Sequence, residues 1–137
     1  MMLPEGDAMF TTLQRSSPYL LSLMRIAFGI TFVEHGTQKL LSFPVPPPGV
    51  LGPGILLFTA VFETLGGTLI TLGLFTRIAA FLVSGEMAVG YWWMHAPQSL
   101  YPIKNGGEVM VLYAFAFLYF AALGPGPWSL DALMKRE

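Results

Sequence analysis

Arg25, His35, Lys39, Glu63 and Glu86 stand inside stretches that are otherwise almost wholly apolar. A charged side chain at bilayer depth costs about 2.5–3.5 kcal/mol on insertion scales, so a chain that keeps such groups has a partner, a cavity or a chemical task for them. Three chemistries suit these residue types. Arg25, Glu63 and Glu86 could form a structural ion pair, or a protonated acid in a hydrogen-bonded core. They could line a polar pocket for a small molecule such as a quinone headgroup, with His35 or Lys39 assisting. They could also form a proton or ion path.

Other chemistries fit less well. Two histidines, His35 and His95, make bis-histidine haem conceivable. His95 turns away from the Glu86 face, however, and haem is not expected. A carboxylate di-iron site needs Glu-x-x-His pairs, which neither Glu34-His35 nor Glu86 supplies, so no metal site is assigned. His95, Asn105 and Glu108 form a secondary outer-side group; Glu108 opens a helix, where the dipole favours an acid. The absence of cysteine excludes disulfides, thiol relays, iron–sulfur ligation and Cys-zinc sites. There is no phosphate-binding loop and no nucleophile elbow. A net charge of −1 suggests no nucleic-acid partner. No catalytic residue is assigned. The chain alone reads as a non-enzyme, or else as a quinone-linked oxidoreductase component.

The elements that must position these residues are apolar. Of 137 residues, 54% are hydrophobic and 11% charged, against about 25% charged in a soluble domain. Mean hydropathy is +0.62. Four runs stand out, over about 18–41, 52–75, 76–96 and 106–123. Each approaches the ~20 residues that cross a ~30 Å hydrocarbon core. In lipid the backbone must satisfy itself, so the runs are expected to be helices. The expected fold is all-α: an integral-membrane four-helix bundle spanning the bilayer four times, multi-pass in a bacterial inner membrane. Residues 1–17 form an N-terminal segment that does not read as a cleaved signal peptide. Residues 124–137 form an interfacial tail, in which Trp128 anchors and Ser129 caps a short helix. Basic residues set the orientation. Arg15, Arg77, Lys135 and Arg136 fall on one side and Lys39 and Lys104 on the other, so both termini are expected in the cytoplasm.

Helical geometry places Ser22, Arg25, Gly29, Phe32, Gly36 and Lys39 on one stripe of the first run, whose small residues invite close approach of another helix. Glu34 faces away. Glu63 and Glu86 lie near the middle of the second and third runs. Thr59, Ala60, Gly66, Gly67 and Ile70 share the Glu63 face, and Ala79, Leu82, Gly90 and Trp93 share the Glu86 face.

This constellation resembles the DoxX family of small four-helix bacterial inner-membrane proteins. The matching residues are Arg25, Gly29, His35-Gly36 and Lys39, then Glu63, Gly66-Gly67 and Gly73-Leu-Phe-Thr-Arg77, then Asn105-Gly-Gly-Glu108 and Gly124-Pro-Gly-Pro-Trp-Ser-Leu-Asp131. The resemblance covers about residues 18 to 131. It implies a four-helix bundle with cytoplasmic termini. It also implies membrane redox systems, since the family name comes from a terminal quinol oxidase and a related subfamily resembles a thiosulfate:quinone oxidoreductase subunit.

The functional expectation is an accessory or structural subunit of a membrane complex, redox-linked, packing against partner subunits or further copies of itself. The alternatives are a quinone-binding oxidoreductase component and a small oligomeric transporter or channel.

Overall fold

The computed structural model describes residues 5–49 and 51–136. Met1 to Pro4 of the expected N-terminal segment, Val50 in the proline-rich turn and Glu137 lie outside it. Every regular element among the described residues is helical. The order is α1 (Glu5–Arg15), α2 (Ser17–Leu41), α3 (Pro53–Leu72), α4 (Thr76–Gly90), α5 (Pro102–Asn105), α6 (Glu108–Leu123) and α7 (Leu130–Leu133). A π-helical turn, Tyr91–His95, continues α4, with the Ala96 N–H donating to the Tyr91 carbonyl at 2.9 Å. By length and composition α3 alone could cross a membrane, and α1 with α2, bent by 59° at their junction, could form a second span. α6 is a shorter apolar helix.

Two hairpins of helices make the bundle. α2 packs along α3, and α4 packs along α6, with looser contact between α3 and α4. The α2–α3 seam is glycine-lined. A Cβ on Gly67 would lie 2.8 Å from Val33 Cγ2 and 3.1 Å from the Gly29 carbonyl. Only hydrogen at that position lets the backbones meet. The expected stripe is buried at Ser22, Arg25, Gly29, Phe32 and Gly36. Its glycines, Gly29 and Gly36, meet Thr71 and Thr64 of α3, Phe32 packs against Tyr113 and Phe117 of α6, and Ser22 and Arg25 bond the Pro125–Trp128 segment.

The contact between α2 and α6 is aromatic. Phe32, Phe117 and Phe120 are fully enclosed with Ile70, Ala80 and Val83. Phe28 meets Tyr113, Phe117 and Phe120 edge-on at 5.7, 6.4 and 6.0 Å, a geometry that ring quadrupoles favour. Polar side chains cross-tie the helices. Ser84 Oγ donates to the Ala114 carbonyl at 2.7 Å, and the Tyr113 hydroxyl to Thr31 Oγ1 at 2.7 Å.

The sequence pattern contains no sign of α1 and gives the last residues as a surface tail. The tail instead folds back over one end of the bundle. Gly73 ends α3 in the left-handed region at φ +67°, a conformation suited to glycine. The Asp131 N–H donates to its carbonyl at 2.8 Å. Ser129 Oγ caps α7 by accepting from the Ala132 N–H at 3.1 Å, but α7 stops at Leu133, shorter than the expected surface helix.

Candidate functional site

Lys39, Glu63 and Glu86 come from three helices and converge on one cavity. Lys39 lies in the last turn of α2, and its Nζ sits 2.5 Å from Glu63 Oε1. Glu63 is buried in the middle of α3. Glu86 stands ten residues into α4, roughly 15 Å along the helix. Together they line a cavity of about 430 Å³ whose walls include Ile55, Phe58, Phe62, Trp93 and Met110. That volume lies within the range of small-molecule sites. The helix faces make the convergence: Thr59 with Glu63, and Leu82, Gly90 and Trp93 with Glu86, all line the space.

The polar inventory of this cavity is unbalanced. Glu63 Oε2 and both Glu86 carboxylate oxygens are shut away from solvent and have no hydrogen-bond partner. Buried acceptors are ordinarily paired, because an unpaired one costs about 1–3 kcal/mol. The Thr59 hydroxyl does not help, since it donates to the Leu56 carbonyl of its own helix at 3.2 Å. Gly54 and Gly85 also line the cavity, and a Cβ on either would meet nothing within 4 Å. The space beside Glu86 is therefore open.

Arg25 is not part of this site. The sequence pattern sets it against Glu63 and Glu86; the structure places it at the other end of α2, fully buried, bonded to carbonyls alone. Its Nε donates to Pro125 at 2.8 Å, its Nη1 to Ile70 at 2.5 Å and Thr71 at 2.7 Å, and its Nη2 to Trp128. The physical reason is that a helix C-terminus carries unmet carbonyls and the negative end of the dipole. Ile70 and Thr71 are in the last turn of α3. A planar guanidinium with five donors joins that turn to the Pro125–Trp128 segment.

Asp131 is a residue to which the sequence pattern gives no role. Its Oδ1 accepts from the Phe75 N–H and its Oδ2 from the Thr76 N–H, both at 2.9 Å. It thereby caps the N-terminus of α4 from a distant segment, where an acid also meets the positive end of the dipole. Burial alone would push its carboxyl up, but these N–H groups and nearby Arg136 hold it below the usual aspartate range. The signal for it is present in Ser129-Leu-Asp131, but no local pattern reveals a cap supplied from 55 residues away.

The remaining candidates are separate. His35 does not line the cavity; its ring lies edge-on to Tyr113 at 5.8 Å. His95 Nδ1 is 2.7 Å from the Asn105 carbonyl. Asn105 is a structural hub, its Nδ2 donating to the Ser99 carbonyl at 2.7 Å and its Oδ1 accepting from the Gly107 N–H at 2.7 Å. Glu108 is exposed in the first turn of α6. No cluster of three or more metal-ligating side chains occurs among the described residues.

Comparison with known proteins agrees with the resemblance. The DoxX sequence profile matches residues 20–96, from α2 through the π-helical turn. It stops before Asn105-Gly-Gly-Glu108 and the Gly124–Asp131 motif. An uncharacterized protein of Haemophilus influenzae is 42% identical over 125 residues, covering 87% of this chain and 93% of that protein. The inner membrane protein YphA of Escherichia coli is 33% identical, covering 83% of this chain and 89% of that one. An uncharacterized membrane protein of Mycobacterium tuberculosis is 28% identical, covering 91% and 87%. No solved structure matches significantly. Since the profile spans more than half of the chain and relatives match along most of their length, the chain belongs to the DoxX family and is a membrane protein in contact with the lipid bilayer.

Proposed function

We propose that this is a four-span inner-membrane protein whose task is to bind a lipophilic small molecule, head inward, in the cavity between α3 and α4. One observation carries the reading: Glu86, whose two carboxyl oxygens are buried and unpartnered, lines a cavity that is apolar apart from Thr59 and the Lys39–Glu63 pair. A carboxyl group held in that state is a functional-site candidate inside a membrane. Phe58 and Trp93, on the rim, are 64% and 66% exposed, so the cavity's walls reach the lipid-facing surface.

Four spans rather than two follow if α4 with its π-helical turn crosses as one unit from Thr76 to His95 and α6 crosses beside it. Arg15, Arg77, Lys135 and Arg136 then share one side. Lys39 is neutralised by Glu63, leaving Lys104 on the other, which supports cytoplasmic termini. A reporter fused after Glu137 should be active in the cytoplasm; activity confined to the periplasm overturns this orientation.

The accessory-subunit reading rests on small-residue stripes, and the glycines of the α2 stripe are occupied by α3. The ligand reading therefore stands first. A quinone meets the apolar part of the description, and its carbonyl oxygen can accept the single proton of a neutral Glu86 carboxyl, but it leaves Glu63 Oε2 unmet.

Gly85→Phe tests the proposal, because it fills the cavity from a position where a side chain meets open space. Wild type and variant are purified in native lipid and their bound small molecules extracted. A lipophilic species present at fixed stoichiometry with the wild type and missing from the variant is the expected result. Identical extracts sink the idea.

A further inference from the structure

Resting on that pocket reading, we infer that the occupant's head is a cation: the cavity is a site for a lipophilic amine. The argument is a count of donors and acceptors. The lining holds two carboxyl groups, Glu63 and Glu86, and one ammonium, Lys39. Lys39 is committed to Glu63 Oε1. Three carboxylate oxygens remain, all buried, none with a partner. A ligand that brings N–H donors and a positive charge completes this set, and charge-assisted hydrogen bonds are about twice as strong as neutral ones. An acceptor-only ring can take at most one proton, from a neutral Glu86, and leaves the remaining oxygens without a donor.

The walls fit the same chemistry. Phe58 and Phe62 stack at 5.8 Å, and Trp93 also lines the cavity. Aromatic faces attract a cation through the ring quadrupole, most strongly when water is excluded. A second apolar groove of about 490 Å³ shares Gly54, Phe58, Phe62 and Leu82 with the cavity. It gives an alkyl or aryl tail a continuous path along the α3–α4 face. The head therefore meets carboxylate and ring faces while the tail stays in an environment like the lipid it came from.

The experiment compares two probes of matched tail length, dodecylamine and dodecylbenzoquinone, on the full chain in nanodiscs of neutral phosphatidylcholine, at equal bilayer mole fraction. Neutral lipid prevents the amine from being gathered by anionic headgroups. The lack of cysteine removes covalent attack by protein thiols on the quinone. The expected result is at least tenfold tighter binding of dodecylamine, with at least tenfold of that affinity lost in Glu86→Gln and all of it in Gly85→Phe. Quinone binding equal to or tighter than amine binding overturns the cation and leaves the pocket standing. Amine affinity unchanged by Glu86→Gln also overturns it. Failure of both probes overturns the pocket reading and this inference together. Should Glu86→Gln not assemble, the wild-type comparison of the two probes decides alone.

Discussion

Replacing Arg25 by lysine separates charge from geometry. If Arg25 served by charge, an ammonium in its place would do. The structure assigns the work to its shape instead: four hydrogen bonds fan out from one plane, two to the end of α3 and two to Pro125 and Trp128. Lysine has one nitrogen and cannot reach both groups of carbonyls, so at least two bonds are lost. Hydrogen bonds to charged groups contribute about 1.5–3 kcal/mol each, which puts the cost at about 3–6 kcal/mol. For a chain of this size, on the scale measured for soluble domains, that lowers Tm by roughly 6–24 °C. Thermal unfolding in mild detergent reads the loss. Hydrogen exchange locates it, since the Asp131 N–H, bonded to Gly73 in the wild type, should lose protection first. An Arg25→Lys variant that melts within about 2 °C of wild type, with residues 125–131 still protected, would refute the reasoning.

Other perturbations probe the remaining contacts. Lys39→Met leaves Glu63 buried without its cation and should cost about 3–5 kcal/mol, most of it recovered in the double variant with Glu63→Leu; a double variant no more stable than the single one, in the same melts, contradicts the pairing. Gly67→Ala should destabilise, since its Cβ would lie 2.8 Å from Val33 Cγ2, whereas Gly85→Ala should be neutral or stabilising by up to about 1 kcal/mol through helix propensity. Equal melting shifts for the two would dissolve that distinction. Asp131→Ala should cost about 0.5–2 kcal/mol, the value of a lost helix cap. Because the folded Asp131 carboxyl is held low, its contribution is complete above the unfolded value near 4 and disappears as pH falls through the lower folded value. Acid unfolding of wild type and Asp131→Asn should therefore diverge at neutral pH and converge in acid; parallel curves throughout would exclude the cap.

Periodicity makes half of the site legible. Turning each helix by 100° per residue brings Thr59 to the Glu63 face and Leu82, Gly90 and Trp93 to the Glu86 face, and these line the cavity, whereas Gly67, Ile70 and Ala79, assigned to the same faces, pack into the bundle instead. The same rule gives the buried stripe of α2. It does not give the partner of Arg25. Charges invite charge pairing on paper, but backbone carbonyls carry no mark in a sequence, and a helix end supplies them wherever the chain happens to stop. Lys39 reads in the sequence both as an outer-side basic residue and as an assisting residue of the polar site; that its partner is Glu63 depends on how tightly glycines 29, 36 and 67 draw α2 onto α3. α1 escapes notice because its residues are polar enough to resemble an ordinary terminus.

The fold-back of the last residues has a consequence for how the molecule is made. Helices that enter a bilayer do so in the order of synthesis, and α2, α3 and α4 leave the ribosome well before Trp128 and Asp131. Until those two arrive, Arg25 lacks acceptors at Pro125 and Trp128, and the first N–H groups of α4 lack their carboxylate. An early bundle is thus assembled yet unlatched. The clasp closes only when translation has passed α6, so its contacts form last.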